Sequence, residues 1–332
     1  MALSGSKDYT STFTAADIVA LALRRLGVLD PAETVDSTEE ANALVTLNLM
    51  VKEWGAYGID NWLRQSGVVW ITDPGERSTY TLGPSGSPAA FSWYETELAA
   101  DAASGAASIT VAAIDSTHSI NGANIGVKLD DGSIHFTTIS GSPTTTITLT
   151  ASLDSAASSG NRVYIYNTSS QIARPCRLLW AAVATADTTN TSIASTGLFE
   201  QDTELKIIGR TEYERLNQKR QVGVPNQVHY EQSLINGTLH LWPTGTTGKD
   251  YDKIYFVSNI YPDDFDATSN NAQFPPEWHN ALAWNLAAEM APEYGLPESE
   301  QRRLWSIANG KLGTLLDYDV ENASVLFGRD VR

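Results

Sequence analysis

A change of material partway along the chain constrains its fold more than any other feature. From Trp93 to Tyr166, Ala, Ser, Thr and Gly dominate, charges are sparse, and short β-rich runs alternate with turns. The runs are Ser108 to Val111, Ile125 to Leu129, His135 to Ile139, Thr146 to Leu149 and Val163 to Tyr166. Asp130-Asp131-Gly132 supplies hairpin chemistry between two of them. Strands this short at this spacing predict a small all-β domain, a sandwich or a barrel, inserted into something else.

The flanks follow a helical period. Thr14 is placed to cap a helix in which Val19, Ala22, Leu23 and Leu26 recur until Gly27. Ser37 or Thr38 can cap a second, with Glu39 and Glu40 at its positive end and Leu44, Leu47, Val51 and Trp54 along one stripe. Val68 to Ile71, the Asp73-Pro74-Gly75 turn and Thr79 to Leu82 then read as strands. Beyond Arg174-Pro175, Arg177 to Thr185 fits strand or helix and Thr203 to Ile208 fits strand. Thr211 to Lys219 fits a short helix with a Thr211/Glu214 capping box. Asn236-Gly237 predicts a hairpin between Gln227 to Leu234 and Thr238 to Trp242, with Lys253 to Val257 extending its sheet. Pro275-Pro276 opens a helix with Trp278, Leu282, Leu286 and Met290 on one face, and a last helix runs from near Glu298 to Tyr318.

These elements predict an α+β fold: an α-helical body of an N-terminal and a C-terminal helix pair, a small antiparallel sheet, and the inserted all-β domain. The expected division is 1–92 and 169–318 for the body, 93–168 for the insertion, and 319–332 for a tail whose apolar residues have no partner segment nearby. A length of 332 residues with 42% apolar content is ample for about two domains.

Charge and cysteine narrow the function. Thirty-nine acidic against 22 basic residues give a formal charge of −17, which excludes a phosphate-binding clamp, and no basic cluster offsets it. The single Cys176 excludes an internal disulfide and a thiolate metal cage, and points to synthesis in a reducing cytoplasm. The polar N-terminus lacks the order of a signal peptide, and no window approaches the roughly 18 apolar residues of a membrane span.

No catalytic, metal or cofactor site emerges. Counting across Asn236-Gly237 separates His229 from His240 by about 13 Å at about 3.4 Å per residue, too far to share a metal. His279 beside Glu277 reads as an exposed helix-start residue, and Asp263, Asp264 and Asp266 as a solvated loop without the glycine and distant glutamate of a calcium site. Gly248-Lys249 lacks the Ser or Thr of a phosphate loop, and Ser4 to Lys7 lies on a polar terminus. Cys176 has Arg174 and Arg177 close by but no base. Trp54, Trp278 and Trp284 read as core or interface residues.

Three segments carry a resemblance. They are Ala20 to Gly27 leading into Leu47 to Trp54, Gly223 to Tyr230 continuing through Gly237 to Pro243, and Phe274 to Leu282 continuing to Gly295. Together they resemble the head-to-tail adaptors, the packaged-DNA-stabilising proteins of short-tailed bacteriophages. The resemblance implies a structural virion protein, not an enzyme. Such a protein assembles as a ring, usually twelvefold, beneath the portal protein. It seals the filled capsid, offers attachment to tail tube, nozzle or fibre proteins, and lets double-stranded DNA pass unread. It further implies portal docking by the tail, through Val320, Val325, Leu326, Phe327 and Arg329. Leu47, Val51, Trp54, Trp278, Leu282 and Leu286 would serve inter-subunit or body packing. The alternative is a carbohydrate-active or glycan-binding virion protein, for which Glu95 and Glu97, alternate residues of one strand, are the nearest carboxylate pair to that which glycoside hydrolysis requires.

Overall fold

The computed structural model describes residues 13–56, 61–73, 75, 78–186, 200–245 and 251–318. The tail residues Val320, Val325, Leu326, Phe327 and Arg329, the Gly248-Lys249 pair and Ser4 to Lys7 lie outside them. The chain divides into two compact units, Met1–Leu63 with Tyr261–Arg332, and Arg64–Ile260. In chain order the helices are α1 (Ala15–Leu26), α2 (Ser37–Ala56), α3 (Arg210–Glu214), α4 (His279–Met290) and α5 (Glu298–Tyr318). All but α3 belong to the first unit.

In the helical unit, α1 begins where Thr14 and Asp17 cap each other. The Asp17 N–H donates to the Thr14 hydroxyl at 3.3 Å, and the Thr14 N–H donates to the Asp17 carboxylate at 2.9 Å. The helix ends at Gly27, whose φ of 75° is the left-handed conformation that glycine adopts without strain. Asp36, not Ser37 or Thr38, caps α2, accepting from the Thr38 N–H at 2.9 Å. The apolar stripes of α1 and α2 close on α4, whose Ala281, Leu282, Ala283, Leu286 and Ala287 are all buried, and α5 covers α4 with Leu304 and Ala308.

The second unit holds the strands described. The first nine are β1 (Arg64–Trp70), β2 (Thr79–Leu82), β3 (Ala89–Ala90), β4 (Tyr94–Glu97), β5 (Ser108–Thr110), β6 (Asn124–Lys128), β7 (Ile134–Ser140), β8 (Thr146–Leu149) and β9 (Arg162–Tyr166). They are followed by β10 (Pro175–Ala186), β11 (Glu200–Glu204), β12 (Lys206–Ile207), β13 (Gln227–Gln232), β14 (Gly237–Trp242) and β15 (Tyr251–Ile260). Three sheets result, ordered β11-β10-β15-β1-β3, β12-β13-β14-β2 and β4-β9-β6-β7-β8-β5.

This overturns the expectation of an α-helical body with a small sheet. The protein is mostly β: all the described helices but α3 belong to one unit, and the larger unit holds three sheets. The body strands are concealed where they are buried on both faces. Gly67 to Trp70 of β1 and Ala181 to Ala184 of β10 are buried without interruption, so no period of two marks them. The ambiguous Arg177 to Thr185 is strand. β1 and β2 are not a hairpin, since they belong to different sheets, and β15 does not extend the β13–β14 hairpin but lies between β10 and β1. The helix expected at Thr211 to Lys219 is the shorter α3, which ends at Glu214, and its cap is displaced: Gly209, not Thr211, precedes it, and Glu212, not Glu214, accepts from the Gly209 N–H at 3.4 Å.

The sheets pack in three layers. Val69 of β1, Ile71 just after it, and Ile254 and Phe256 of β15 meet Tyr80, Leu82, Val228, Leu239 and Leu241 of the four-stranded sheet. The other face of β1, with Val68 and Trp70, meets Ile134, Tyr164 and Tyr166 of the six-stranded sheet. That third sheet curls into a half-barrel around Ile109, Ile125, Val127, Ile147, Val163 and Ile165, and its two edges touch at an antiparallel bridge, Leu98 with Val111.

Candidate functional site

The six packing residues named from the resemblance all lie in the interior of the helical unit. Leu47, Val51, Trp54, Trp278, Leu282 and Leu286 are buried, and the aromatic ones join Trp62 and Phe274 in a cluster with ring centroids 4.8 to 6.4 Å apart. They pack the body from within. The outward face of α2 carries Val45 and Leu49 instead, 60% and 66% exposed.

The polar candidates are engaged. Phe13 stacks on His279 at 4.8 Å between centroids, and burial lowers the histidine pKa. Arg25 lies 4.6 Å over the Trp284 ring and donates to Asn280, and burial pushes its guanidinium down to about 10. Lys52 pairs with Asp264 at 2.8 Å. Among the described residues, no group of three or more His, Cys, Asp or Glu could hold a metal ion.

His229 and His240 are a correction. They are directly paired across β13 and β14, with ring centroids 5.6 Å apart, not separated along the strand. The turn is longer than Asn236-Gly237 implies: Gln232 pairs with Gly237, which leaves Ser233 to Asn236 as the loop. Gly237 is therefore a strand residue, and the Tyr230 ring occupies the space that a Cβ there would take. That close approach, not a left-handed turn, is what the glycine provides.

Glu95 and Glu97 are no free carboxylate pair. Glu95 is bound by the Lys253 ammonium and accepts the Trp93 indole N–H at 2.9 Å. This ion pair is one end of a buried network where the half-barrel meets the five-stranded sheet. Alongside it, Asp252 takes the Lys128 ammonium, the Tyr164 hydroxyl at 2.8 Å and Arg162 at 3.9 Å. Burial by itself would raise the Asp252 pKa, but the two cations outweigh it and the carboxyl stays below its ordinary value. Burial and the Asp252 charge drive the Tyr164 phenol the other way, well above its usual range.

Beside this network lies a groove of about 370 Å³. Ser66, Trp93, Trp180, Asp202, Tyr255 and Val257 line it. The register explains the gathering: Trp180 pairs with Val257, Val257 with Ser66, and Ala184 with Asp202, which places these side chains on one face of the five-stranded sheet. Trp93 arrives from the start of the half-barrel, with its ring 5.9 Å from that of Tyr255. Sequence reasoning missed all four of Trp93, Trp180, Asp202 and Tyr255. Alternation of Trp180 with Ala182 and Ala184 was the available signal, but only strand order brings the others to it. No family model matches the chain, and comparison with curated proteins finds no significant similarity. No helix among the described residues is long and apolar enough to cross a membrane.

Proposed function

We propose that this chain is a head-to-tail adaptor of a short-tailed bacteriophage, a virion protein that forms a ring with copies of itself under the portal and receives tail proteins. The observation that supports this reading is the construction of the helical unit. Two of the three segments that resemble adaptors, in α1–α2 and in the stretch leading through α4, are far apart in sequence, yet they pack into one helical core. The third falls in β13 and β14. An acidic chain suits a channel through which DNA slides, because repulsion replaces tight phosphate contacts. Val45 and Leu49, adjacent on α2 and exposed, offer an apolar strip for a neighbouring copy.

The test is electron microscopy of the full chain, alone and with its cognate portal. Rings in either sample support the reading; a solitary particle in both overturns it. Val45→Asp with Leu49→Asp is expected to abolish rings while changing the stability of the isolated chain by no more than about 0.5 kcal/mol. Unchanged rings would remove α2 from the subunit contact.

A further inference from the structure

Where the half-barrel begins, the fold brings a serine, a histidine and an aspartate into one line of hydrogen bonds. Ser92 precedes β4, and the turn Asp115 to His118 precedes β6. Ser92 Oγ lies 3.1 Å from His118 Nε2, and His118 Nδ1 lies 2.9 Å from one oxygen of the Asp115 carboxylate. The turn is held in place before any ligand arrives. The other Asp115 carboxylate oxygen accepts the Thr117 N–H at 2.8 Å and its hydroxyl at 2.7 Å, and the Ser119 N–H donates to the Asp115 carbonyl at 2.8 Å. Both halves are fastened to one short stretch after β9. The Asn167 amide donates to the Thr117 carbonyl at 2.9 Å, and the Phe91 N–H donates to the Ser170 carbonyl at 2.9 Å. The Tyr94 ring stacks over His118 with centroids 6.5 Å apart.

The order of these bonds fixes the proton. Hydrogen bonds from the Thr117 N–H and hydroxyl, and then from His118, hold the Asp115 carboxyl down to about 2, so at neutral pH it is ionised and only accepts. His118 Nδ1 therefore carries the N–H, with the Thr117 hydroxyl a second neighbour at 3.0 Å, and Nε2 presents its lone pair to the Ser92 hydroxyl. This is the tautomer that can take a proton from a serine. The surroundings narrow the substrate. Phe91, next to Ser92, and Ile120, two residues past His118, are 41% and 47% exposed, while residues 89–94, 112–120 and 167–171, which build the site, include no Lys or Arg. An apolar acyl chain finds side chains to lie on, and an anion finds no countercharge in these segments. The ladder of β4 with β9 begins at Tyr94, which leaves the Trp93 N–H outside it. That N–H follows the serine in the chain, the position from which a backbone donor commonly serves an oxyanion.

We propose that Ser92, His118 and Asp115 form a catalytic triad that hydrolyses uncharged carboxylic esters with an apolar acyl group. Ser92 Oγ attacks the ester carbonyl carbon while its proton passes to His118 Nε2. The tetrahedral intermediate collapses by breaking the bond to the alcohol oxygen, the leaving alcohol takes the proton from His118, and the acyl group stays on Ser92 as an ester. Water then attacks the acyl carbon and gives a proton to His118 Nε2. The bond to Oγ breaks, the proton returns to Ser92, and the carboxylic acid departs. Asp115 is the positioning residue, holding the His118 tautomer and the imidazolium that forms. The assignment does not depend on the adaptor reading.

Two measurements on the full chain test it: labelling by an alkyl fluorophosphonate, which phosphonylates nucleophilic serines with loss of fluoride, and turnover of p-nitrophenyl butyrate. The label is expected on Ser92, located by peptide mass spectrometry. Ser92→Ala is expected to abolish both labelling and turnover with an unchanged melting temperature. His118→Gln is expected to lower kcat at least about a hundredfold. Asp115→Asn keeps an oxygen acceptor for the turn but loses the charge that sets the tautomer; it is expected to lower kcat about a thousandfold or more with little change in KM, a split that a merely structural turn would not produce. The p-nitrophenyl half-ester of succinic acid, which carries a carboxylate on its acyl chain, should turn over more slowly than the butyrate. Turnover that persists in Ser92→Ala, no label, a label on another residue, or a half-ester hydrolysed as fast as the butyrate would each overturn the proposal.

Discussion

The two units bury different things. Among the described residues of the helical unit, Asn285 is the only polar side chain in the interior, and it is satisfied by the Ala281 carbonyl at 2.9 Å. The β unit instead buries Lys128, Arg162, Asp252 and Lys253 where two sheets meet. Amphipathic helices need only bring apolar stripes together, and any close apolar match will serve. A half-barrel set on the flat face of a sheet has no such geometric key, and a network in which each charge requires its partner specifies one docking over its neighbours. Buried ion pairs contribute little net stability, but their loss is costly once one partner is removed.

The sharpest way to break this contrast is Asp252→Ala, which leaves Lys128 and Arg162 buried beside a missing carboxylate. The β unit is expected to lose about 4 kcal/mol, measured as a shift of its own transition in urea. Replacing Asp252, Lys128 and Arg162 together by apolar residues should recover most of that loss but blur the docking, seen as broadened amide resonances at Trp70 and Tyr164. A triple variant as unstable as the single one would deny that pairing matters. Acid gives the same sign. The Asp252 carboxyl is held below its ordinary value in the folded state, so its stabilisation is present at neutral pH and is lost as pH falls below the usual carboxylate range.

The helical unit should respond to volume alone. Leu282 is fully buried, so Leu282→Ala is expected to cost about 3 kcal/mol, while Leu282→Met costs less than about 1.5. Asn285→Leu, which removes the single buried amide, should be close to neutral if the site repacks. A loss near that of Leu282→Ala would show that this core, too, depends on a polar contact.

The helical unit was also legible in the sequence. The stripes Val19, Leu23 and Leu26, and Trp278, Leu282 and Leu286, show a period of 3.6 because one side of each helix faces water. The last helix fell at Glu298 to Tyr318. The half-barrel strands were legible for a similar reason. Thr146 to Leu149 alternates exposed and buried residues, and Asp131-Gly132 lies at the turn between β6 and β7, with Gly132 at a φ of 91°. The five-stranded sheet was not legible. β10 is buried without interruption from Ala181 to Ala184 and β15 from Asp252 to Ile254, which hides the period of two there, and strand order is a property of pairing that no local pattern carries. The groove inherits that limit, because Trp93, Trp180, Asp202 and Tyr255 come from four strands or strand ends that only the register joins. The hairpin register failed on one assumption, that Asn236-Gly237 is a two-residue turn. Gly237→Ala probes the reason: if the Tyr230 ring fills the missing Cβ, the variant should cost about 2 kcal/mol in the β unit, and Tyr230→Ala should relieve part of it.

The smallest effect should come from the histidine pair that the corrected register creates. The rings of His229 and His240 stack at 5.6 Å, Tyr213 lies 5.3 and 4.7 Å from them, and His229 Nδ1 donates to the Ile208 carbonyl at 2.9 Å. Burial, and then the neighbouring His229, lower the His240 pKa below 6.5, while Glu231 at 3.8 Å pulls weakly the other way. The folded state therefore disfavours the proton relative to the unfolded chain. Stability is full above the unfolded value and declines as pH falls through it, levelling off once the folded pKa is passed. Urea unfolding at about pH 7.5 and about pH 5.5 should show a decline in the β unit that His240→Gln reduces. The helical unit supplies the contrast, since His279 is also lowered by burial but stacks on Phe13 with no second imidazole against it. An equal decline in His240→Gln and the parent would mean that the stacked pair does not govern the acid response of its sheet.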